Sequence, residues 1–198
     1  MFRWWTLVLL LAAVGSSGYY RRRAHKISGP IARSSEGRAM VAGRALVALP
    51  LFLAPLVYVI NPRWMEWASI ALPTWLRVAG FVLAASTVPA VYWILRTLGP
   101  NVSETVLTKE QHQLVTGGPY AWVRHPLYTN GLALFLGLAL MQASWFGLLT
   151  TFVALVGIAV VVIPREERAL EARFGAQFRA YRARTGRLVP RSRGVAGA

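Results

Sequence analysis

Long apolar runs separated by short polar segments make up most of this sequence. Four such runs extend over Phe2 to Tyr20, Ala39 to Ile60, Ala71 to Leu98 and Leu127 to Ile163. A helix needs about 20 mostly apolar residues to cross the hydrocarbon core of a bilayer. The pattern therefore predicts an integral membrane protein of the all-α class.

The fourth apolar run is too long for a single span. It holds 37 residues without a charged side chain and is interrupted only at Gln142, Ala143 and Ser144. We interpret it as a tight hairpin of two short spans, which gives about five transmembrane helices in total. One span followed by a buried half-helix is the alternative.

The composition agrees with a membrane protein. Hydrophobic residues make up 56% of the chain and charged residues 15%, against about 45–50% and about 25% in soluble domains. The absence of cysteine excludes disulfides, thiolate metal sites and a cysteine nucleophile. No metal site is predicted, because the three histidines are far apart in the sequence.

The basic residues indicate an orientation in the membrane. Segments 21–44, 96–126 and 164–198 contain nineteen of the 22 Lys and Arg residues, and the other three are Arg3, Arg63 and Arg77. Loops rich in Lys and Arg face the cytoplasm, so we expect an external N-terminus and a cytoplasmic C-terminus. The net charge of +15 is thereby explained without nucleic acid. The excess of Arg over Lys favours a bacterial cytoplasmic membrane.

The first apolar run has an alternative interpretation as a signal peptide. Arg3 precedes it, and small residues occupy positions 16 to 18. The three arginines that follow Tyr20 favour an uncleaved span, because such a block resists translocation.

The polar linker from Gly99 to Pro126 is the first candidate for chemistry. It is longer than a simple connection between packed spans requires. Pro126 suits the first position of a helix and disfavours helical geometry at His125, which places His125 at the mouth of the fourth span. That end of a helix attracts anions and lowers the pKa of an imidazole, and Arg124 adds a cation. The alternative is that Arg124 is a membrane anchor and His125 an interfacial residue.

The segment after the last span is the second candidate. Pro164 is predicted to open a new helix with Glu166 and Glu167 in its first turn. Neither acid has a basic residue three or four positions later, so both need a tertiary cation or a cationic ligand. The helix is predicted to end at about Arg184 and to lie on the inner leaflet, with arginines opposite one apolar stripe. The stripe consists of Leu170, Phe174, Phe178 and Tyr181.

These two segments resemble a known family. The pattern HxLVTxGPYAWVRHPLY over 112–128, followed by EExxLxxxFGxxFxxY over 166–181, is similar to isoprenylcysteine carboxyl methyltransferases and more loosely to phospholipid N-methyltransferases. The resemblance implies S-adenosylmethionine as cofactor and a lipidic or prenylated acceptor, methylated on a carboxyl, thiol or amine at the cytoplasmic face. The implied cofactor site comprises His112, Leu114, Gly118, Tyr120, His125, Pro126, Tyr128 and Glu167. Arg124 and Glu166 are implied to lie near the methyl acceptor.

Two positions differ from the family pattern. Asn130 and then Gly131 stand where the family has glycine one position earlier, and Val162 stands where an arginine often precedes the acidic pair. The second difference argues against a carboxyl acceptor. On this basis residues 1–98 are expected to form a three-helix membrane part and residues 99–198 a methyltransferase-like core.

Two further readings remain from the sequence. One is an NADPH-dependent membrane reductase of the sterol reductase type, which is similar in its C-terminal half. The other is a non-catalytic protein that binds anionic lipid through its basic face. The chain lacks GxGxxG and Walker motifs, so a soluble dinucleotide site is not supported.

The orientation can be tested directly. Because the chain contains no cysteine, a Pro62→Cys variant carries a single thiol, which we expect an impermeant maleimide to label only from outside. A reporter fused after Ala198 should be active only in the cytoplasm. Labelling of Pro62→Cys from the cytoplasmic side would overturn the five-span arrangement.

Overall fold

The computed structural model describes residues 2–28, 38–99 and 114–191. Within these ranges the secondary structure is helical, and extended pairing is limited to two isolated bridges, Ser69 with Ser144 and Val123 with Gly186. The predicted all-α class is confirmed for this part of the chain.

The helices follow the order of the apolar runs. The α-helices within the described residues are α1 (Phe2–Ser28), α2 (Arg38–Ile60), α3 (Thr74–Leu98), α4 (Pro126–Gln142), α5 (Trp145–Gly157) and α6 (Ile163–Arg184). Short 3-10 turns occupy Pro62–Ala68 and Gly118–Ala121, and a π-helical turn occupies Ile158–Val162.

Two of these helices are long and apolar enough to cross a membrane. They are Thr74–Leu98 and the continuous helix Trp145–Arg184. The most apolar stretch of the second has a mean hydropathy of 2.7 with only 22% of its residues buried, so its side chains mostly face outward, as contact with lipid requires. Helices occur at all five predicted positions, and the count of five spans stays a prediction.

The predicted hairpin at residues 142–144 is confirmed. Ala143 ends α4 in the left-handed conformation, with φ of 54° and ψ of 49°. Ser144 then caps α5, since its side-chain oxygen accepts a hydrogen bond from the Gly147 backbone N–H at 3.1 Å.

The junction of α5 and α6 differs from the prediction that Pro164 opens a separate helix. Val162 and Ile163 both have helical backbone angles, and the helix continues through the proline. A proline removes one backbone donor and crowds the carbonyl four residues earlier. The π-helical turn Ile158–Val162 lies directly before this point and offers wider hydrogen-bond spacing, which explains how the helix accommodates Pro164.

A close crossing of α3 and α4 forms the centre of the helical bundle. A Cβ atom added to Gly137 would lie 2.6 Å from the carbonyl oxygen of Gly80 and 2.7 Å from the backbone nitrogen of Ala84. Gly80 and Ala84 are one helical turn apart, so their small side chains let the two backbones approach. Leu134, Leu138 and other buried side chains of α4 pack beside this crossing.

Two arginines at the opposite end from the acidic pair cap helix ends. The Arg3 side chain donates to the carbonyl oxygens of Val59 at 2.6 Å and Ile60 at 2.8 Å, at the end of α2. Arg77 donates to the carbonyl of Met141 at 3.1 Å, at the end of α4. Both therefore satisfy backbone acceptors that a helix C-terminus leaves unpaired.

The C-terminal helix bends sharply, which its sequence pattern did not predict. Gly175 has φ of 51° and ψ of −120° inside α6. Beyond the bend, Phe178 is 0% and Tyr181 is 3% exposed. The prediction that this apolar stripe lies on a leaflet is wrong for these two residues, because they pack against the protein itself.

The tightness of the α3–α4 crossing predicts opposite effects for two glycines of α4. Gly137→Ala should lower stability by about 1–3 kcal/mol, because the added methyl group overpacks the crossing. Gly131→Ala should be neutral or stabilising by about 0.5–1 kcal/mol, because its Cβ would meet no atom within 4 Å. Thermal unfolding in detergent measures both. A Gly137→Ala variant that melts at or above the Gly131→Ala variant would contradict the close approach.

Candidate active site

The start of α4 and the C-terminal segment lie side by side. The Arg124 backbone N–H donates to the Gly186 carbonyl at 2.9 Å, and the His125 N–H donates to the Arg187 carbonyl at 3.2 Å. The Gly186 N–H donates in turn to the Trp122 carbonyl at 3.2 Å. This short parallel pairing brings the two sequence motifs into one site.

Arg124 joins three elements at this site. Its Nε atom lies 2.9 Å from Oε1 of Glu167, and both side chains are 8% exposed. Its Nη1 atom donates to the carbonyl of Arg182 at 3.2 Å and to the carbonyl of Thr185. A charge-assisted hydrogen bond thus ties the linker to the start of α6, and the same guanidinium caps the end of α6.

His125 lies between the two carboxylates of the acidic pair. It is the N-cap residue of α4, as Pro126 predicts, and is 7% exposed. Its Nδ1 atom lies 3.3 Å from Oε2 of Glu166, and its Nε2 atom lies 3.3 Å from Oε1 of Glu167. The ring stacks on Tyr128 at a centroid distance of 5.8 Å.

This environment reverses the expected direction of the His125 pKa. Burial lowers the pKa, but contacts with Glu166 and Glu167 outweigh it and hold the His125 pKa above its usual value of 6.5. The helix end was expected to lower it. Two tertiary carboxylates exceed the effect of one helix dipole, which favours a protonated imidazole.

Glu167 has protein partners on both oxygens. Burial alone would raise its pKa, but hydrogen bonds from His125 and Arg124 outweigh that effect and lower the pKa of Glu167 to about 2. Nη2 of Arg187 lies 3.5 Å from the second oxygen, Oε2. The tertiary cation that the sequence required is therefore present for this residue.

Glu166 differs from its neighbour. Its Oε2 atom is buried and has no hydrogen-bond partner among the described residues. The 3.3 Å approach of His125 Nδ1 is an ionic contact without hydrogen-bond geometry, and the Glu166 side chain is 25% exposed. A buried carboxylate oxygen without a donor is costly, so this atom is suited to receive one from a ligand.

The structure places the aromatic and glycine residues of the first motif around this cluster. Tyr120 is buried, and its carbonyl accepts a hydrogen bond from the Tyr181 hydroxyl at 2.7 Å. Burial raises the pKa of Tyr181 to about 12 and raises that of Tyr120 as well. Gly118 has φ of 57°, and a Cβ there would lie 2.9 Å from Oγ1 of Thr97.

The remaining predicted site residues are less closely connected. Pro126 is buried at the first position of α4, and Leu114 is half-buried at the edge of the described segment. His112 lies outside the described residues.

The C-terminal segment supplies site residues that sequence reasoning did not assign. The carbonyl of Thr185 accepts from Arg124, Arg187 approaches Glu167, and the carbonyl of Leu188 accepts from the Thr129 hydroxyl at 2.6 Å. In the sequence, Gly186 and Pro190 mark a turn after the helix, and the family resemblance extends over Arg187 to Pro190. Gly186 is required, because a Cβ there would lie 1.7 Å from the Val189 carbonyl oxygen.

The protein is a helical bundle with a buried cluster of Arg, His and Glu side chains at one end. A family match identifies the family to which this bundle belongs. The model of the phospholipid methyltransferase family matches residues 75–177, slightly more than half of the chain. The chain belongs to this family, which is related to the isoprenylcysteine carboxyl methyltransferases. The family is named for phospholipid methylation and is membrane-associated.

Two individual proteins are also similar. A terminal β-(1→2)-arabinofuranosyltransferase of Corynebacterium glutamicum is 29% identical over 149 residues, covering 71% of this chain. The uncharacterized protein YpbQ of Bacillus subtilis is 28% identical over 97 residues, covering 49% of this chain. The matches span 20% of the first relative and 56% of the second.

The raised pKa of His125 predicts a pH dependence of stability. Because its folded pKa is raised above 6.5, its contribution is complete below that value and is lost as the pH rises through the folded pKa. Relative to a His125→Gln variant, the thermal midpoint of the parent should decrease as the pH rises above about 6.5. Parallel curves for the two proteins would show that the imidazolium does not stabilise this site.

Proposed function

We propose that the protein is an S-adenosylmethionine-dependent membrane methyltransferase that acts on a lipidic or prenylated acceptor at the cytoplasmic face. Family membership supports the reaction class. The observation that supports a charged ligand at this site is the buried Oε2 of Glu166, which has an ionic contact with His125 but no hydrogen-bond donor among the described residues.

The charges of the site fit the proposed cofactor. S-adenosylmethionine carries an ammonium group, a carboxylate and a sulfonium, so its site should offer both signs of charge. Glu166 offers a carboxylate oxygen without a donor. The imidazole of His125 and the half-exposed guanidinium of Arg187 offer positive charge nearby.

The hydrogen bonding leads us to change the roles that the resemblance implies for Glu166, Glu167 and Arg124. Glu167 has three basic protein partners, so in our proposal it organises the site. Glu166 meets the ammonium group of the cofactor, which S-adenosylhomocysteine also carries. Arg124 is a positioning residue, because its guanidinium contacts Glu167 and the end of α6. The other proposed cofactor contacts are His112, Leu114, Gly118, Tyr120, His125, Pro126 and Tyr128.

The chemistry needs orientation more than acid–base groups. When bound, S-adenosylmethionine supplies a methyl group on a positively charged sulfur, ready for in-line displacement. The residues of this chain would orient the reactants and keep water out, which suits a buried site with few titratable groups. The outward-facing apolar surface of α5 supports an acceptor that arrives through the bilayer.

Calorimetric titration of the detergent-purified full chain tests this function. We expect binding of S-adenosylhomocysteine and none of NADPH. Glu166→Gln should weaken S-adenosylhomocysteine binding by about tenfold to more than a hundredfold, because a charge-assisted hydrogen bond is lost from a desolvated site.

The matched control is Glu66→Gln, an exposed acid in the 3-10 turn at the opposite end of the bundle. It should bind like the parent. If the parent binds NADPH in place of S-adenosylhomocysteine, the reductase reading replaces ours. Equal affinity of Glu166→Gln and parent would remove Glu166 from the cofactor site.

A further inference from the structure

The last part of the described chain folds back over the site. We call residues 176–191 the strap. It comprises the second half of α6 and the segment that pairs with residues 122–125. Its contacts with the site run through the Tyr181 hydroxyl, which donates to the Tyr120 carbonyl, and through the carbonyls of Arg182 and Thr185, which accept from Arg124.

The strap begins at a bend that only glycine adopts readily. Gly175 combines φ of 51° with ψ of −120°, whereas the rest of α6 is helical. A Cβ at Gly175 would meet no atom within 4 Å. No neighbouring atom therefore packs against the Cβ position of Gly175. The angle of the bend depends on the contacts that the two halves of α6 make.

One acidic residue bridges the two sides of the bend. Glu171 contacts Nη1 of Arg182 at 3.2 Å and Nη1 of Arg179 at 3.7 Å. In a straight helix, residues 171 and 182 would be about 16 Å apart along the axis. The pair between Glu171 and Arg182 thus exists only while the helix is bent. Both ion pairs are partly exposed, so each is weak and sensitive to salt.

The strap lies over residues that our proposed function assigns to cofactor binding and to the scaffold of the site. His125 and Glu167 are 7% and 6% exposed with the strap in place, and Phe178 of the strap is fully buried. A ligand that contacts His125 and Glu166 needs a route past this cover. The strap thus begins at a glycine bend, carries two partly exposed ion pairs and has a buried inner face.

We propose that the strap is a closure, hinged at Gly175 and latched by Glu171, that opens to admit a ligand to the His125 site and then closes over it. This inference rests on the proposed function for the identity of the ligand. Glu171 acts as a positioning residue, since it contacts the strap and not the site.

Thiol labelling measures opening directly, because the chain contains no cysteine. Thr185→Cys places one thiol at a position that is 2% exposed, and Val189→Cys places one at a position in the strap that is 70% exposed. With a maleimide, Thr185→Cys should react at least about tenfold more slowly than Val189→Cys. Adding Glu171→Gln should accelerate labelling at position 185 about two- to tenfold, and leave position 189 unchanged.

Hydrogen exchange provides a second measurement without a cysteine. Amides of residues 176–191 should exchange faster in Glu171→Gln than in the parent, with α3 as the internal reference. This comparison shows whether Glu171 holds the strap closed, even if Thr185→Cys fails to fold. Unchanged exchange of the strap, or labelling at position 185 as fast as at 189, would overturn the proposal.

The ligand arm separates this inference from the proposed function. Saturating S-adenosylhomocysteine should slow labelling at position 185 and exchange across the strap. If calorimetry shows binding but neither rate falls, the strap does not close over the ligand and the inference is wrong. If calorimetry shows no binding, the proposed function fails, whereas the hinge and the latch are still decided by labelling and hydrogen exchange in the Glu171→Gln comparison.

Discussion

The buried ion pair between Arg124 and Glu167 is the interaction on which the site depends. It joins two segments that are 43 residues apart in sequence, at a distance of 2.9 Å. Glu167→Gln would leave the buried Arg124 guanidinium without its carboxylate, at a cost of about 3–5 kcal/mol. The same guanidinium reaches the carbonyls of Arg182 and Thr185. One side chain thus fixes the start of α4, the start of α6 and the strap relative to one another.

Local rules predicted the features that neighbouring residues determine. The interruption at residues 142–144 predicted the hairpin, and Pro126 predicted that His125 would cap α4; both are confirmed. The prediction that Pro164 opens a separate helix was wrong, because a π-helical turn before Pro164 lets the helix continue from α5 into α6. The bend at Gly175 was missed, because a glycine within an amphipathic pattern gives no sign of its φ angle.

Tertiary contacts account for the remaining differences. The apolar stripe of α6 indicated that one face is covered, but not by what; Phe178 packs on the protein where a leaflet was expected. Residues from a distant segment also determine the direction of the His125 pKa. The helix end predicted a lower value, whereas carboxylates from a distant segment raise it. In both cases, the sequence pattern and the helix dipole predict properties of a single helix. The residues that cover Phe178 or contact His125 belong to other parts of the chain.

The acidic pair shows how adjacent residues acquire different roles. Successive residues of a helix point about 100° apart, so Glu166 and Glu167 face different surroundings although they have the same chemistry. Glu167 points into the cluster and has protein partners on both oxygens. Glu166 contacts His125 at 3.3 Å, and its Oε2 lacks a hydrogen-bond donor among the described residues. If protein groups neutralised both carboxylates, neither could bind a cationic ligand. If both were free, Arg124 would lack its ion pair. In our proposal, Glu167 therefore holds the site together and Glu166 accepts a hydrogen bond from the ligand.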